Sequence, residues 1–260
     1  MTSHLYIPDP HAEPEVSNER FDLLGSFIID HKPDVIVCAG DLADMPSLSS
    51  YDKGKKSFEG RRYSEDIAVV QDAITRMFAP TAAYNAIQAK RRDKQYKPRL
   101  VMTLGNHEAR ISRAVQMSPE LEGTIGLSDL GYEEAGFEVY PYLQPVEIDG
   151  IFYNHFFVSG VRGEAIGGVN PAKAMLMKHM ASCTAGHSHT MDFATAVSPH
   201  GRRVFGLVAG CFCEQPMAYA HATQYQWWAG LVLKHNVKDG SYDPDFFSMN
   251  RLRELYGFVR

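Results

Sequence analysis

Five short clusters of Asp, Asn and His recur along the 260-residue chain: Asp9-x-His11, Gly40-Asp41-x-x-Asp44, Gly105-Asn106-His107-Glu108, His155 and Gly186-His187-x-His189. Carboxylate, amide and imidazole together form a donor set for divalent cations, and mixed nitrogen and oxygen ligation does not single out one metal. Two such cations about 3.5–4 Å apart need a bridging carboxylate with several imidazoles and oxygens around it. Taken singly, each residue has a plainer reading. His155 would be a core histidine, Asn106 a turn residue and Asp44 a helix cap. The other histidines, including His4, His31, His179, His200, His221 and His235, fit no cluster.

The clusters gain weight from the elements that carry them. Leu5-Tyr6-Ile7 leads to Asp9, and the apolar run over residues 34–39 leads to Gly40-Asp41. Leu100-Val101-Met102-Thr103-Leu104 leads to Gly105-Asn106, Ile151-Phe152-Tyr153 to His155, and Ser182-Cys183-Thr184-Ala185 to Gly186-His187. Short apolar runs of this kind read as buried strands, and ligands collect at strand ends in α/β sheets. Between them, Ser17 or Asn18 can cap a helix with Phe21, Leu24, Phe27 and Ile28 on one face, stopped by Pro33. The pattern predicts a long polar loop over 45–63, a helix from Ser64 to Pro80, a second helical stretch to about 94, and a helix near 171–179. Further strands are predicted near 203–209 and 229–236, while the stretch from Arg251 to the end carries no readable signal. Strands alternating with helices, without an internal repeat or linker, point to one layered α/β domain.

In type and order the five clusters resemble the signature of calcineurin-like metallophosphoesterases: DxH, GDxxD, GNH[DE], a lone H, then GHxH. The resemblance covers residues 9 to 189. It implies an α/β/β/α fold, a layered β-sandwich flanked by helices, spanning 1–260 with a basic insertion near 45–98. It also implies two divalent ions, Mn²⁺ first, with Fe, Zn²⁺, Ni²⁺ or Mg²⁺ as alternatives. Asp41 would bridge them; Asp9, His11 and His189 would complete the protein ligands of the first ion, and Asn106, His155 and His187 those of the second. The nucleophile would be a metal-bridging hydroxide. His107 would serve the leaving oxygen as acid or hydrogen-bond donor, and Asp44 would orient His107. On that basis Asp44→Asn should lower turnover with little loss of metal.

Substrate class is less constrained. Asp44 is followed by Met45-Pro46, where the phosphoprotein phosphatase branch carries Asp-Arg-Gly. That departure favours a phosphodiesterase acting on a nucleotide or nucleic acid over a phosphomonoesterase, and both over a non-catalytic partner-binding scaffold, which would be expected to lose ligands. Wording such as GNHEAR and GHSHTMDFA resembles phage and prophage members of the family. Arg162, in the glycine-rich stretch after His155, is a candidate for a phosphate oxygen.

Net charge is −5, which argues against a general nucleic-acid coat. The charge is uneven: residues 51–99 hold twelve Lys and Arg against six Asp and Glu. Part of this segment could lie over the site and steer a polyanion, although the Lys90 to Lys94 run also suits a helix C-terminus. Cys38, Cys183, Cys211 and Cys213 include no CxxC pair and read as buried thiols of a reducing compartment. No signal-peptide pattern or membrane-length apolar run is seen, so a cytoplasmic location is expected, the host's if the protein is phage-encoded.

Overall fold

Leu5 and Ile7 face one way from the first strand and Tyr6 the other, and that alternation builds the molecule. Leu5, Ile7, Ile36, Cys38 and Met102 pack against Phe21, Leu24, Phe27 and Ile28 of one helix and Val70 and Met77 of another. Tyr6, Val37 and Val101 meet Ile151, Tyr153, Leu207 and Ala209 of a second sheet. Beyond that sheet, Cys183, Ala185 and Val208 bury Ala172 and Met175 of a further helix. The layers therefore run helices, sheet, sheet, helix, as the α/β/β/α expectation required. Strands covered on both faces need apolar residues at every position, which is why the central ones read as continuous apolar runs.

The structure, a computed structural model, describes residues 2–197, 201–214 and 221–257. In chain order it begins with β1 (Thr2–Ile7), α1 (Glu19–His31), β2 (Val35–Cys38), α2 (Tyr63–Arg91), β3 (Arg99–Thr103), α3 (Ala109–Met117) and β4 (Phe137–Tyr140). Next come β5 (Val146–Ile148), β6 (Ile151–Tyr153), the hairpin of β7 (Val158–Ser159) and β8 (Glu164–Ala165), α4 (Pro171–His179) and β9 (Ser182–Ala185). The last are β10 (Met191–Val197), β11 (Arg203–Ala209), β12 (Gly230–Lys238), β13 (Ser241–Ser248) and α5 (Met249–Tyr256). One sheet has the order β13-β12-β1-β2-β3-β4 and the other β10-β11-β9-β6-β5. β1 to β4 are mutually parallel, and so are β6 and β9. The loops leaving β1, β2, β3, β6 and β9 carry the five polar clusters.

The segment over 63–91 departs from the sequence expectation. It is one helix, α2, with Pro80 inside it rather than at its end. Proline leaves the Arg76 carbonyl without its usual N–H partner, and α1 closes on that spot. A side chain at Gly25 would meet the carbonyl oxygens of Arg76 and Met77 and the Pro80 ring, so the absent side chain lets the two helices pack at the proline. The C-terminal end of α2 is fixed at the far edge of the sheet. Asn85 donates to the Tyr96 carbonyl at 2.8 Å, Tyr96 donates to the Pro33 carbonyl at 2.7 Å, and Lys32 lies over the Tyr84 ring. Pro33 precedes β2, so the Lys90 to Lys94 run lies opposite the strand ends that carry the clusters. The basic residues between 53 and 62 instead follow the Asp44 loop.

β13 and α5 went unread in the sequence. β13 is an edge strand whose Pro244 breaks the pattern without breaking a central ladder. α5 is short, buries Met249 and Leu252, and is capped by the Ser248 hydroxyl accepting from Arg251 N–H at 3.2 Å. All four cysteines are buried and free. His200 and the side chain of His221 lie outside the described residues. Among those residues, no helix is long and apolar enough to cross a membrane.

Candidate metal centre

The turns that carry the site have an unusual backbone. Asp9, His11, Asp41, His187 and His189 all adopt positive φ, between 38° and 68°. Such conformations cost non-glycine residues on the order of 1 kcal/mol each, and they cluster where a surrounding framework holds them. Here His11 N–H donates to the Asp41 carbonyl at 2.8 Å, and His187 N–H donates to the Asp9 carboxylate at 2.9 and 3.0 Å. Glycine supplies the room. A Cβ on Gly186 would collide with an Asp9 carboxylate oxygen, and one on Gly105 would collide with Asp41 Oδ1. Sequence spacing and steric need coincide: at Gly105 and Gly186 a carboxylate passes, and at Gly40 the backbone of Thr103 and Gly105 does.

The side chains converge inside this frame. Asp9, His11, Asp41, His155 and His189 are each at most 3% exposed. The Nε2 atoms of His11 and His189 lie 3.1 Å apart, and His155 Nε2 lies 3.1 Å from His187 Nδ1 and 2.9 Å from Asn106 Oδ1. Asp41 Oδ2 is 3.3 Å from His155 Nε2 and 3.8 Å from His107 Nε2. Three groups, Asp9 with His11 and His189, His11 with Asp41 and His107, and Asp41 with His155 and His187, each bring ligand atoms within 4.8 Å of one another. A fourth, His189 with Cys211 and Cys213, is as close, although the Cys211 thiol already donates to the Cys213 carbonyl.

The electrostatics suit cations. Burial pushes Asp9 up to about 7. Burial would also raise Asp41, but the facing imidazoles of His155 and His107 hold it well below the usual carboxylate range. Burial would lower His155, yet Asp41 beside it raises it to about 9. His187 is lowered to about 4 and His189 to about 2, by burial and then by the neighbouring imidazoles His155 and His11. Buried carboxylates together with ring nitrogens aimed at one another, two of those rings held neutral, form an environment that a divalent ion relieves. The donor set fits the metals that the sequence suggested.

His107 and Asp44 stand beside this centre. His107 Nδ1 lies 2.8 Å from the Asp44 carbonyl oxygen and 3.0 Å from Asp44 Oδ1, leaving Nε2 toward Asp41. Burial would lower His107, but Asp41 and Asp44 raise it to about 9. Asp44 Oδ1 also lies 2.7 Å from His11 Nδ1. One carboxylate therefore orients two histidines, so its removal should disturb His11 and any ion held there as well as His107, contrary to the expectation of little metal loss.

The structure brings Asp9, His11, Asp41, Asp44, Asn106, His107, His155, His187 and His189 together on one edge. Arg162 is not among the residues in these contacts: its side chain is exposed on the β7–β8 hairpin, 3.7 Å from Glu164. Several supporting residues were not given roles in the sequence. Glu108 is fully buried; its Oε2 accepts from Asp41 N–H at 2.8 Å and Gly105 N–H at 2.9 Å. Its Oε1 accepts from Ala43 N–H at 3.1 Å and the Tyr132 hydroxyl at 3.0 Å. Arg110 donates to the Asp44 carbonyl at 2.9 Å and sets Nη2 3.3 Å from His107 Nε2. Buried Arg20 donates to the carbonyls of Pro10 and His11, both at 2.8 Å. Trp227 packs edge-on to His189 and Phe156 lies against His187. Glu108 and Arg110 lie in or beside a recognisable motif, whereas Arg20 is one cation in an apolar helix face with no local signal.

A layered α/β sandwich that gathers carboxylates and imidazoles at its strand ends defines a metal-dependent phosphoester hydrolase. The calcineurin-like phosphoesterase family model matches residues 5–193, and the chain belongs to that family. No curated protein sequence matches it. Among solved structures, YfcE, a phosphoesterase from E. coli, aligns with 94% of this chain and 98% of its own at 12% identity, with a TM-score of 0.39.

Proposed function

We propose that the protein is a phosphodiesterase that works with two divalent cations, on a nucleotide or nucleic-acid ester. Asp9, His11 and His189 would hold one ion and Asn106, His155 and His187 the other, with Asp41 shared. The observation that carries this reading is Asp41's position: it belongs to one ligand group with His11 and to another with His155 and His187. Bound there, divalent ions would polarise the phosphoryl oxygens and lower the pKa of the attacking water. His107, oriented by Asp44 at Nδ1, presents Nε2 for the proton needed by the leaving oxygen. Arg110 is the guanidinium we assign to the substrate, in place of Arg162. A phosphodiester carries one negative charge, and one guanidinium beside His107 suits it.

The test is metal-free protein reloaded with Mn²⁺, Ni²⁺, Zn²⁺ or Mg²⁺ and assayed on matched chromogenic mono- and diesters. Diester hydrolysis that His107→Ala abolishes is the expected result. Monoester preference would move the reading to a phosphomonoesterase. Persistent metal binding without turnover on either ester would leave the partner-binding scaffold.

A further inference from the structure

A cavity of about 560 Å³ opens beside the centre, between α3, the short turn at Leu127–Leu130 and the end of β4. That volume lies within the range of about 300–1,000 Å³ typical of small-molecule sites. Leu104, Ala109, Tyr132, Val139 and Tyr142 give it an apolar and aromatic wall. Glu133 and Glu134, both exposed, are the charged groups among its lining residues.

Two routes tie this cavity to the metal centre. Leu104 and Ala109 flank the Gly105-Asn106-His107-Glu108 turn in the chain, so one wall of the cavity is the back of the turn that presents Asn106 and His107. On the other side, the Tyr142 ring meets Phe156 at 5.8 Å, and Phe156 meets the His187 ring at 4.5 Å. An ester group on a phosphate held at His107 and His187 would therefore point along an aromatic path into an apolar hollow.

We propose that this cavity receives the base of a nucleotidyl ester, a flat uncharged aromatic ring one sugar away from the phosphate at the centre. The assignment rests on the phosphodiesterase reading above and narrows it to short substrates. Aromatic walls stack with any base, and carboxylates accept from base N–H groups, the N3–H of thymine among them. The same two carboxylates repel a following phosphate, so the cavity ends a substrate where a polynucleotide would continue.

Calorimetric titration of the Mn²⁺-loaded protein with thymidine 5′-phosphate and with methyl phosphate tests this, since the two ligands share a phosphate and differ in the nucleoside. The nucleotide should bind at least about tenfold more tightly, equivalent to about 1.4 kcal/mol. Ser112→Trp and Ser128→Trp, at exposed positions on opposite walls, should fill the cavity and bring the two affinities within about a factor of two of each other. Equal affinities in the unmodified protein would overturn the assignment, as would a preference that survives both substitutions. An oligothymidylate binding more tightly than the mononucleotide would overturn it too. A nucleotide preference that both substitutions abolish, in a protein that cleaves no diester, would uphold the cavity and refute the catalytic reading.

Discussion

Glu108 is the side chain whose removal should cost most for its distance from the chemistry. Its two oxygens terminate four donors: the N–H groups of Asp41, Gly105 and Ala43 and the Tyr132 hydroxyl. Glu108→Ala would leave all four without a partner in a fully buried site. Each orphaned buried donor costs about 1–3 kcal/mol. Even with water entering the space, a loss of about 4 kcal/mol is expected, against a total stability of about 5–15 kcal/mol. Glu108→Gln is milder and more informative. Its amide oxygen can still accept from Asp41 and Gly105, and the Tyr132 hydroxyl can turn to accept from the new NH₂. The Ala43 N–H then faces another donor, so about 2 kcal/mol should be lost.

Metal binding should follow, because this carboxylate braces the Asp41 and Asn106 loops against each other, alongside the His107 N–H bond to Asp41 Oδ1 and the Arg110 bond to the Asp44 carbonyl. Loss of such outer contacts typically lowers metal affinity by about 10–100-fold. Urea unfolding in the presence of chelator gives the first quantity, and calorimetric Mn²⁺ titration the second. Tyr132→Phe is the control: it removes one of the four bonds, costs about 1 kcal/mol and leaves the loops joined. If Glu108→Gln stays within about 0.5 kcal/mol of the unmodified protein and binds Mn²⁺ as tightly, the bracing argument is wrong.

Other outcomes follow from the same geometry. Asp44→Asn should lower both turnover and Mn²⁺ affinity, the latter by about tenfold or more, because Asp44 meets His11 as well as His107; unchanged metal content by elemental analysis would limit its role to His107. Gly186→Ala should displace Asp9 and, in titrations, weaken one Mn²⁺ equivalent selectively, whereas Gly105→Ala, which presses on Asp41, should weaken both. Asp66, buried beside Ser47, is raised from 3.8 to about 6, chiefly by burial. Its ionised form therefore costs stability above about pH 6 and nothing below pH 3.8, so Asp66→Asn should stabilise by about 1 kcal/mol at pH 7 and not at pH 4 in denaturant titrations. Lys234 is fully buried, and burial lowers its pKa well below 10.5. Stability should then decline as pH falls from the unfolded pKa toward the folded one, and Lys234→Met should remove that slope without lowering the melting temperature at neutral pH.

Which parts of this molecule were legible in its sequence depends on how local their cause is. The strands leading into Asp9, Asp41, Asn106, His155 and His187 could be read because burial on both faces demands unbroken apolar runs. Each run also ends in a residue type that a turn alone does not require. The α4 span was equally plain, with Pro171 at its first position and Lys178 and His179 at its last turn. α2 was misread because proline has two outcomes, a stop or a tolerated break, and the choice was made by Gly25 on another helix. β13 was missed because Pro244 argues against a strand unless the strand is at an edge, and edge position is a property of the whole sheet.

The site divides along the same line. The proposed ligands and His107 have fixed chemistry and short spacing, so their types point to them. Glu108 and Arg110 stand in or beside a motif that marks their place, but their partners at Asp41, Ala43 and Asp44 come from another loop, and Arg20, on the Pro10 and His11 carbonyls, has no local signal at all. The basic segment shows the limit from the other side. Its charge was visible, but only the fold separates the Lys90 to Lys94 run, held at the far edge by Tyr96 and Pro33, from the cations that follow Asp44. Charge count gives a segment's potential for attraction, while the strand direction beneath it decides whether that potential falls on the metal centre. For the run at 90–94 it does not.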